Sequence, residues 1–267
     1  MGIKENCELV KKEMLADGIY RYSVKAPKIA KTAKPGQFLE IKVSDTNEPF
    51  LRRPISIYSI ENDVVEFIFQ VKGIGTTILS KRKVGDIIDI IGPLGYGTFK
   101  IDEYKSVAII GGGIGIFPLY ELAKQLKGKT GINVYLGFRN KDLVVCEKEF
   151  ESLGLEKLCI ATDDGSYKEK GFAIDFMKKD IEEHMVDMIF ACGPLPMLRA
   201  VKKYADENNI KCQISLEEKM GCGIGACLGC AVKVVSGDEP RYGHVCKEGP
   251  VFYSTDVEIY IAMKFEK

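Results

Sequence analysis

Ser106-Val107-Ala108-Ile109-Ile110-Gly111-Gly112-Gly113-Ile114-Gly115 is the stretch on which the fold turns. An unbroken apolar run reads as a strand covered on both faces, the pattern of a parallel sheet. It ends in a glycine-rich turn, and an amphipathic helix is expected from Phe117 to Leu126. Strand, glycine turn and helix let a pyrophosphate approach the backbone and face a helix N-terminus. The strict G-x-G-x-x-G pattern is not met, because Ile116 and Pro118 stand where a third glycine would fall. Gly111, Gly112, Gly113 and Gly115 are therefore candidate dinucleotide contacts, with a purely structural turn as the alternative.

Downstream, the pattern alternates. Strands are expected over 132–138, 157–162 and 187–192, and helices over 146–153, 173–181 and 197–207. Such alternation argues a doubly wound parallel sheet, whose ligands bind beyond the carboxyl ends of the strands. Cys192-Gly193-Pro194 sits at one such end. It reads equally as a turn with a buried cysteine. The strand ending in Gly137-Phe138-Arg139 closes on arginine where an NAD site usually has an acid, which hints at a 2′-phosphate. The irregular glycine turn weakens that rule here, so NAD and NADP both stay open.

Upstream lie short β patterns between turn signals: Ile19–Val24, Phe38–Val43, Val64–Val71, and Asp86–Ile91 stopped by Gly92-Pro93. They suggest an antiparallel barrel or sandwich. Within it, Arg52-Arg53-Pro54-Ile55-Ser56-Ile57 sets a guanidinium and a hydroxyl beside a β run, suited to a phosphate and a polar ring edge. Gly75-Thr76 opens a short helix expected to run to Arg82 and offers N–H donors to an anion. Read blandly, the first is solvated surface and the second a cap.

The strongest chemical signal comes late. Met220-Gly221-Cys222-Gly223-Ile224-Gly225-Ala226-Cys227-Leu228-Gly229-Cys230 carries C-x4-C-x2-C, and Cys246 follows after fifteen intervening residues. That is plant-type [2Fe–2S] spacing, four thiolates around two irons. A zinc knot is the alternative, with Cys227 and Cys230 as one knuckle and His244 near Cys246, but the four-residue step suits it poorly. The other five of nine cysteines are scattered singly among apolar neighbours, the pattern of reduced thiols, which points to the cytoplasm.

Lys+Arg and Asp+Glu balance at 38 each, which leaves no electrostatic footprint for nucleic acid or an anionic membrane. No apolar run approaches the ~18 residues of a membrane span, and the charged start lacks a signal-peptide core. The 267 residues suit two domains and a small module. Their expected extents are 1–100 for a β-barrel, 101–210 for the nucleotide-binding α/β domain and 211–267 for the cluster module.

The order Arg-Pro-x-Ser on a strand, Gly-Thr at a helix start, then a glycine-rich βαβ domain resembles the ferredoxin–NADP reductase superfamily. That superfamily's Arg-x-Tyr-Ser binds FAD; here Arg53 and Ser56 are kept and Ile55 replaces the flavin-stacking tyrosine. Arg-Arg-Pro-Ile-Ser, Gly-Pro-Leu-Gly at 92–95, Cys-Gly-Pro, the cysteine loop and Cys-Lys-Glu-Gly-Pro-Val-Phe at 246–252 together resemble electron-transfer subunits of class 1B dihydroorotate dehydrogenases. The resemblance covers essentially the whole chain. It implies FAD held by Arg53, Pro54, Ile55 and Ser56, with Ile68-Phe69-Gln70 against the flavin and Gly75-Thr76 on its phosphates. It places Cys192, Gly193 and Pro194 where nicotinamide meets flavin, and makes Cys222, Cys227, Cys230 and Cys246 the cluster ligands. It also implies NAD+ and an FMN-bearing partner that oxidises dihydroorotate, two of each subunit in a heterotetramer. Electrons from that FMN would pass through the cluster to FAD and leave as hydride to NAD+. The residues agree: His184 and His244 are the only histidines, and no Ser-His-Asp set or carboxylate pair for proton abstraction is evident. The small subunit of a NADPH–ferredoxin transhydrogenase or sulfhydrogenase is the second reading. A zinc-stabilised nucleotide-binding regulator without redox activity is the third.

Overall fold

Two-residue alternation builds the first part of the chain. A computed structural model describes residues 2–259 apart from 45, 47 and 238. Six antiparallel strands, β1 (Ile3–Ala16), β2 (Ile19–Lys25), β3 (Phe38–Ile41), β4 (Arg53–Glu61), β5 (Val64–Gln70) and β6 (Ile87–Leu94), close in the order β1-β2-β5-β4-β3-β6. Inward positions such as Tyr22, Leu39, Ile57, Phe67 and Ile90 fill the interior. Each full burial of this kind stabilises by roughly 1.5–3 kcal/mol. A short helix α1 (Pro27–Ala30) follows β2.

The sequence reading assigned no strand to 3–16, yet β1 closes the barrel, pairing with β6 through its first half and with β2 through its second. The reason is composition. Only Cys7 and Leu9 of its 14 residues are buried, and lysines and glutamates crowd the rest. A strand with one wet face and two core side chains gives almost no apolar periodicity. Helix α2 (Ile74–Leu79) starts before the expected Thr76, because Gly73 takes the N-cap and the Thr76 hydroxyl accepts the backbone N–H of Lys72 at 2.9 Å.

The second part is a seven-stranded sheet. After β7 (Ser106–Gly112) come α3 (Phe117–Leu126), β8 (Gly131–Phe138), α4 (Glu147–Glu151), β9 (Lys157–Thr162), β10 (Glu169–Lys170), α5 (Ala173–Glu183), β11 (Met188–Cys192), α6 (Leu195–Glu207) and β12 (Lys211–Ser215). The last part adds β13 (Ala231–Val234), β14 (Arg241–His244), β15 (Val251–Tyr253) and β16 (Val257–Glu258). The sheet runs β10-β9-β8-β7-β11-β12-β15, parallel except for β15. Strand order therefore reverses between β7 and β11, which is where such sheets open a ligand crevice. Residues 211–215, inside the stretch expected to belong to the cluster module, pair with β11 instead. Their buried Cys212-Gln213-Ile214-Ser215 continues the sheet, and the glycine-rich loop begins only afterwards.

The parts are fastened together. Tyr58 of β4 stacks on Tyr120 of α3 with ring centroids 4.5 Å apart. Beside them Lys124 Nζ donates to the Ile60 carbonyl at 2.9 Å, and Arg21 pairs with Glu149 at 2.5 Å. On the other side the chain after β6 is sewn to the cluster module, Tyr96 N–H donating to the Lys247 carbonyl and Gly97 N–H to that of Gly249, both at 2.9 Å. Among the described residues no helix is long and apolar enough to cross a membrane.

Candidate functional site

The carboxyl ends of β7 and β11 form a floor without side chains. A Cβ on Gly115 would fall 2.5 Å from Gly193 Cα and 2.6 Å from the Cys192 carbonyl oxygen, so the two turns touch backbone to backbone. Gly112 lies as close to Pro194, where a Cβ would meet Cδ at 2.9 Å, and Gly111 presses on Ile116. Gly113 differs: it is exposed, has φ +55°, and has nothing within 4 Å of its would-be Cβ. Crowded glycines beneath and an open one above suit a flat polyphosphate laid across the turn. Cys192 stands at the crevice, but its side chain points down into the core, 1% exposed, where burial pushes its thiol up and Ser215 is its hydrogen-bond partner. Arg139 is exposed just beyond β8.

The barrel motif and the helix motif meet, although 22 positions separate Arg53 from Gly75. The Arg53 guanidinium lies across Gly75, whose Cβ would come 2.5 Å from its central carbon. Pro54 and Ser56 share the outer face of the sheet with their cross-strand partners Glu40 and Phe38. Ile55 turns the other way, into the barrel core opposite Leu39. Of the β5 trio, Phe69 also points into the barrel, edge-on to Tyr22 at 5.1 Å, while Ile68 packs towards the nucleotide domain and Gln70 is half-buried. The strand alternation thus divides each motif between two faces.

The four cysteines of the late loop are brought together in two pairs. Cys222 and Cys227 form the outer pair, Cys227 being exposed; Cys230 and Cys246 form the inner, at 1% and 3% exposure. Backbone N–H groups aim at the sulfurs: Ala226 and Cys227 donate to Cys222 Sγ at 3.3 and 3.4 Å, Gly225 to Cys246 Sγ at 3.1 Å, and Cys246 to Cys230 Sγ at 3.4 Å. Desolvation opposes the Cys222 thiolate, yet the N–H groups of Ile224, Cys227 and Ala226 outweigh it and bring the thiol down to about 6. The inner Cys246, by contrast, is pushed up to about 12 by burial and by Cys230 beside it. No three of these ligands converge on one point among the described residues. Two pairs are what a binuclear cluster needs, each iron taking two thiolates; a zinc knot needs four at a single centre.

One functional candidate escaped the sequence reading. Glu40 on β3 is 2% exposed, lies under the cluster loop at Gly223, and faces outward beside Pro54. Burial pushes its carboxyl up to about 7, with Arg52 pulling the other way. Its signal was present, since a lone acid in Phe38-Leu39-Glu40-Ile41 is a charge in an otherwise apolar strand.

Comparison with known proteins agrees with this division. The family model for the iron–sulfur cluster binding domain of dihydroorotate dehydrogenase B matches residues 217–258, and that for the oxidoreductase NAD-binding domain matches 109–203. The chain is 41% identical, over 95% of its length and 98% of the relative's, to the dihydroorotate dehydrogenase B (NAD(+)) electron transfer subunit of Geobacillus sp. (strain WCH70). It is 44% identical to that of Caldanaerobacter subterraneus subsp. tengcongensis, over 85% and 88% of the two chains. A solved NADH-dependent reduced ferredoxin-NADP oxidoreductase superposes with a TM-score of 0.83 at 29% identity, covering 97% of this chain and 92% of that one. A closed barrel, a switch-point crevice and a four-thiolate loop define an iron–sulfur oxidoreductase of the ferredoxin–NADP reductase type. Within that class, the chain belongs to the family of dihydroorotate dehydrogenase B (NAD(+)) electron transfer subunits.

Proposed function

We propose that this chain is the electron-transfer subunit of an NAD-dependent dihydroorotate dehydrogenase of pyrimidine (UMP) biosynthesis. It acts in the cytoplasm beside an FMN-bearing catalytic subunit, two of each in a heterotetramer. The observation that carries the reading is the contact of the cluster loop with the flavin-motif face: Gly223 rests on Glu40, whose cross-strand partner is Pro54. This contact supports two redox sites that lie side by side, the cluster loop resting on the barrel strand that pairs with the flavin motif.

When bound, FAD exchanges electrons singly with a [2Fe–2S] cluster and in pairs, as hydride, with NAD. The residues supply the rest. Arg53 over Gly75 provides a cationic seat for the FAD phosphates, and Ser56, on the same face as Pro54, a hydroxyl for the ring edge. Gly113 leaves its backbone open to the NAD pyrophosphate, while Gly115 and Gly193 keep the crevice floor flat for the nicotinamide. The N–H groups around Cys222 and Cys246 stabilise thiolate charge at the cluster. The outer cysteine pair, flanked by exposed Ile224 and Leu228, faces the catalytic partner. Neither histidine is set in the crevice as a base for dihydroorotate: His184 is exposed at the end of α5 and His244 lies against Glu248.

The test is the visible spectrum of the anaerobically purified chain before and after NADH. Flavin bands and broad iron–sulfur absorption, both bleached by NADH, are expected, with dihydroorotate causing no bleaching until the catalytic subunit is added. Turnover of dihydroorotate by this chain alone refutes the division of labour. A second reading, as the small subunit of an NADPH–ferredoxin transhydrogenase, draws on the likeness to the ferredoxin-NADP oxidoreductase and on exposed Arg139. Preference for NADPH over NADH in the same experiment favours it.

A further inference from the structure

Glu40 is held in a position that neither fold nor barrel packing requires. Its neighbours Leu39 and Ile41 fill the barrel interior, so Glu40 emerges on the opposite face, the one that carries Pro54 and Ser56. Its surroundings offset the charge only in part: Arg52 and Arg53 favour it, while burial and Cys222 oppose it. Neither carboxylate oxygen has a hydrogen-bond partner among the described residues. The two nearest guanidiniums bond other groups: Arg52 donates to Asp89 at 2.8 Å and to the Asp89 and Glu40 backbone carbonyls, and Arg53 to the Leu51 carbonyl while lying against Gly75. The cluster loop closes over it, with Gly223 at φ +69° and a Cβ there falling 2.5 Å from Glu40 Oε1. Only glycine lets the loop come so close to the carboxyl group. A carboxylate buried without a donor is costly, and an apolar residue would fill the space at no such cost.

We propose that Glu40 is a positioning residue that sets the reduction potential of the iron–sulfur cluster, its charge acting on the cluster through the dry contact at Gly223. The inference rests on the functional reading above. Charge acts strongly across a short path that excludes water, and cluster potentials follow net charge, hydrogen bonding to sulfur and solvent exposure. A buried negative charge disfavours an added electron, so Glu40 lowers the potential of the cluster against that of the flavin beside it.

The experiment is a redox titration of the purified, cofactor-loaded chain, wild type and Glu40→Gln. The cluster is followed by its electron paramagnetic resonance signal and the flavin by absorbance. Glu40→Gln keeps the shape and removes the charge. The expected result is an upward shift of the cluster midpoint that exceeds any shift of the flavin, with iron content and melting temperature unchanged or improved. Glu40→Asp, which keeps the charge, stays nearer the wild-type midpoint. An unmoved cluster midpoint in Glu40→Gln overturns the proposal, whatever the flavin does. If Glu40→Gln fails to load its cluster, the wild-type chain still decides: its infrared difference spectrum on cluster reduction must contain a carboxyl band, and absence of that band overturns the assignment. Failure of the wild-type chain to bind iron and flavin would refute the functional reading instead.

Discussion

Two alanine substitutions two residues apart test the nucleotide crevice, because Gly113 and Gly115 are glycine for different reasons. At Gly115 the obstacle is space. The new Cβ falls 2.5 Å from Gly193 Cα and 2.6 Å from both Gly193 N and the Cys192 carbonyl oxygen. Carbon atoms pack best at about 3.5–4.0 Å, so the two turns must part by about 1 Å, and neither side is a flexible side chain that can give. Overpacking of this kind costs roughly 1–3 kcal/mol. Across chains of about this size that is a melting-temperature loss of roughly 2–12 °C. At Gly113 the obstacle is conformation. Its φ of +55° strains alanine by roughly 1–2 kcal/mol, offset by about 0.4–1 kcal/mol from the stiffer unfolded chain, and no atom is displaced. Gly113→Ala therefore melts within a few degrees of wild type, yet plants a methyl group on the open side of the turn. Differential scanning calorimetry and NAD+ titration of the loaded chain separate the two. Gly115→Ala loses stability and affinity together; Gly113→Ala loses affinity, at least about tenfold or 1.4 kcal/mol, with little loss of stability. Wild-type NAD+ affinity in Gly113→Ala would show that this turn does not cradle the pyrophosphate. Wild-type stability in Gly115→Ala would refute the close approach itself.

Gly75→Ala sets a methyl group against the Arg53 guanidinium and should leave purified chain with less than half the wild-type flavin per polypeptide, read from the spectrum after denaturation. Cys230→Ser alters a buried cysteine of the inner pair and should abolish the iron signal while NADH still bleaches the flavin, since the residues proposed for flavin and nicotinamide lie on other elements. In chain stripped of its cluster, the Cys222 thiol, lowered from 9.0 to about 6, should react with iodoacetamide at about half its limiting rate near pH 6 and gain reactivity as pH rises through that value. Buried Cys192, whose thiol is pushed the other way, should stay unlabelled throughout, as peptide mapping by mass spectrometry will show.

What the sequence disclosed follows from which interactions are local. The apolar run 106–110 declared the central strand because both its faces are covered, and 117–126 declared its helix because one stripe is buried. The iron–sulfur module was legible because the spacing of its cysteines is a local property. β1 was not, since its partners β6 and β2 supply most of its order and its own pattern records only two core positions. β15 was hidden for a related reason: three residues following the cluster loop add an antiparallel edge to a sheet begun over a hundred residues earlier. Within the motifs, strand alternation sent Ile55 and Phe69 into the barrel, a division that motif matching cannot see because it treats consecutive residues as one site.

Glu40 was overlooked for the deepest of these reasons. Alone, a glutamate in a short apolar strand is an oddity without a partner. Its meaning depends on a glycine 183 positions away in the chain, and on two arginines already committed to other groups. The module is also sewn to the chain after β6 at 96–97 and to the sheet through β15. A cluster loop tethered only at the sheet could pivot against the barrel. Anchored on both sides, the loop is held against Glu40 by contacts with the chain after β6 as well as with the sheet.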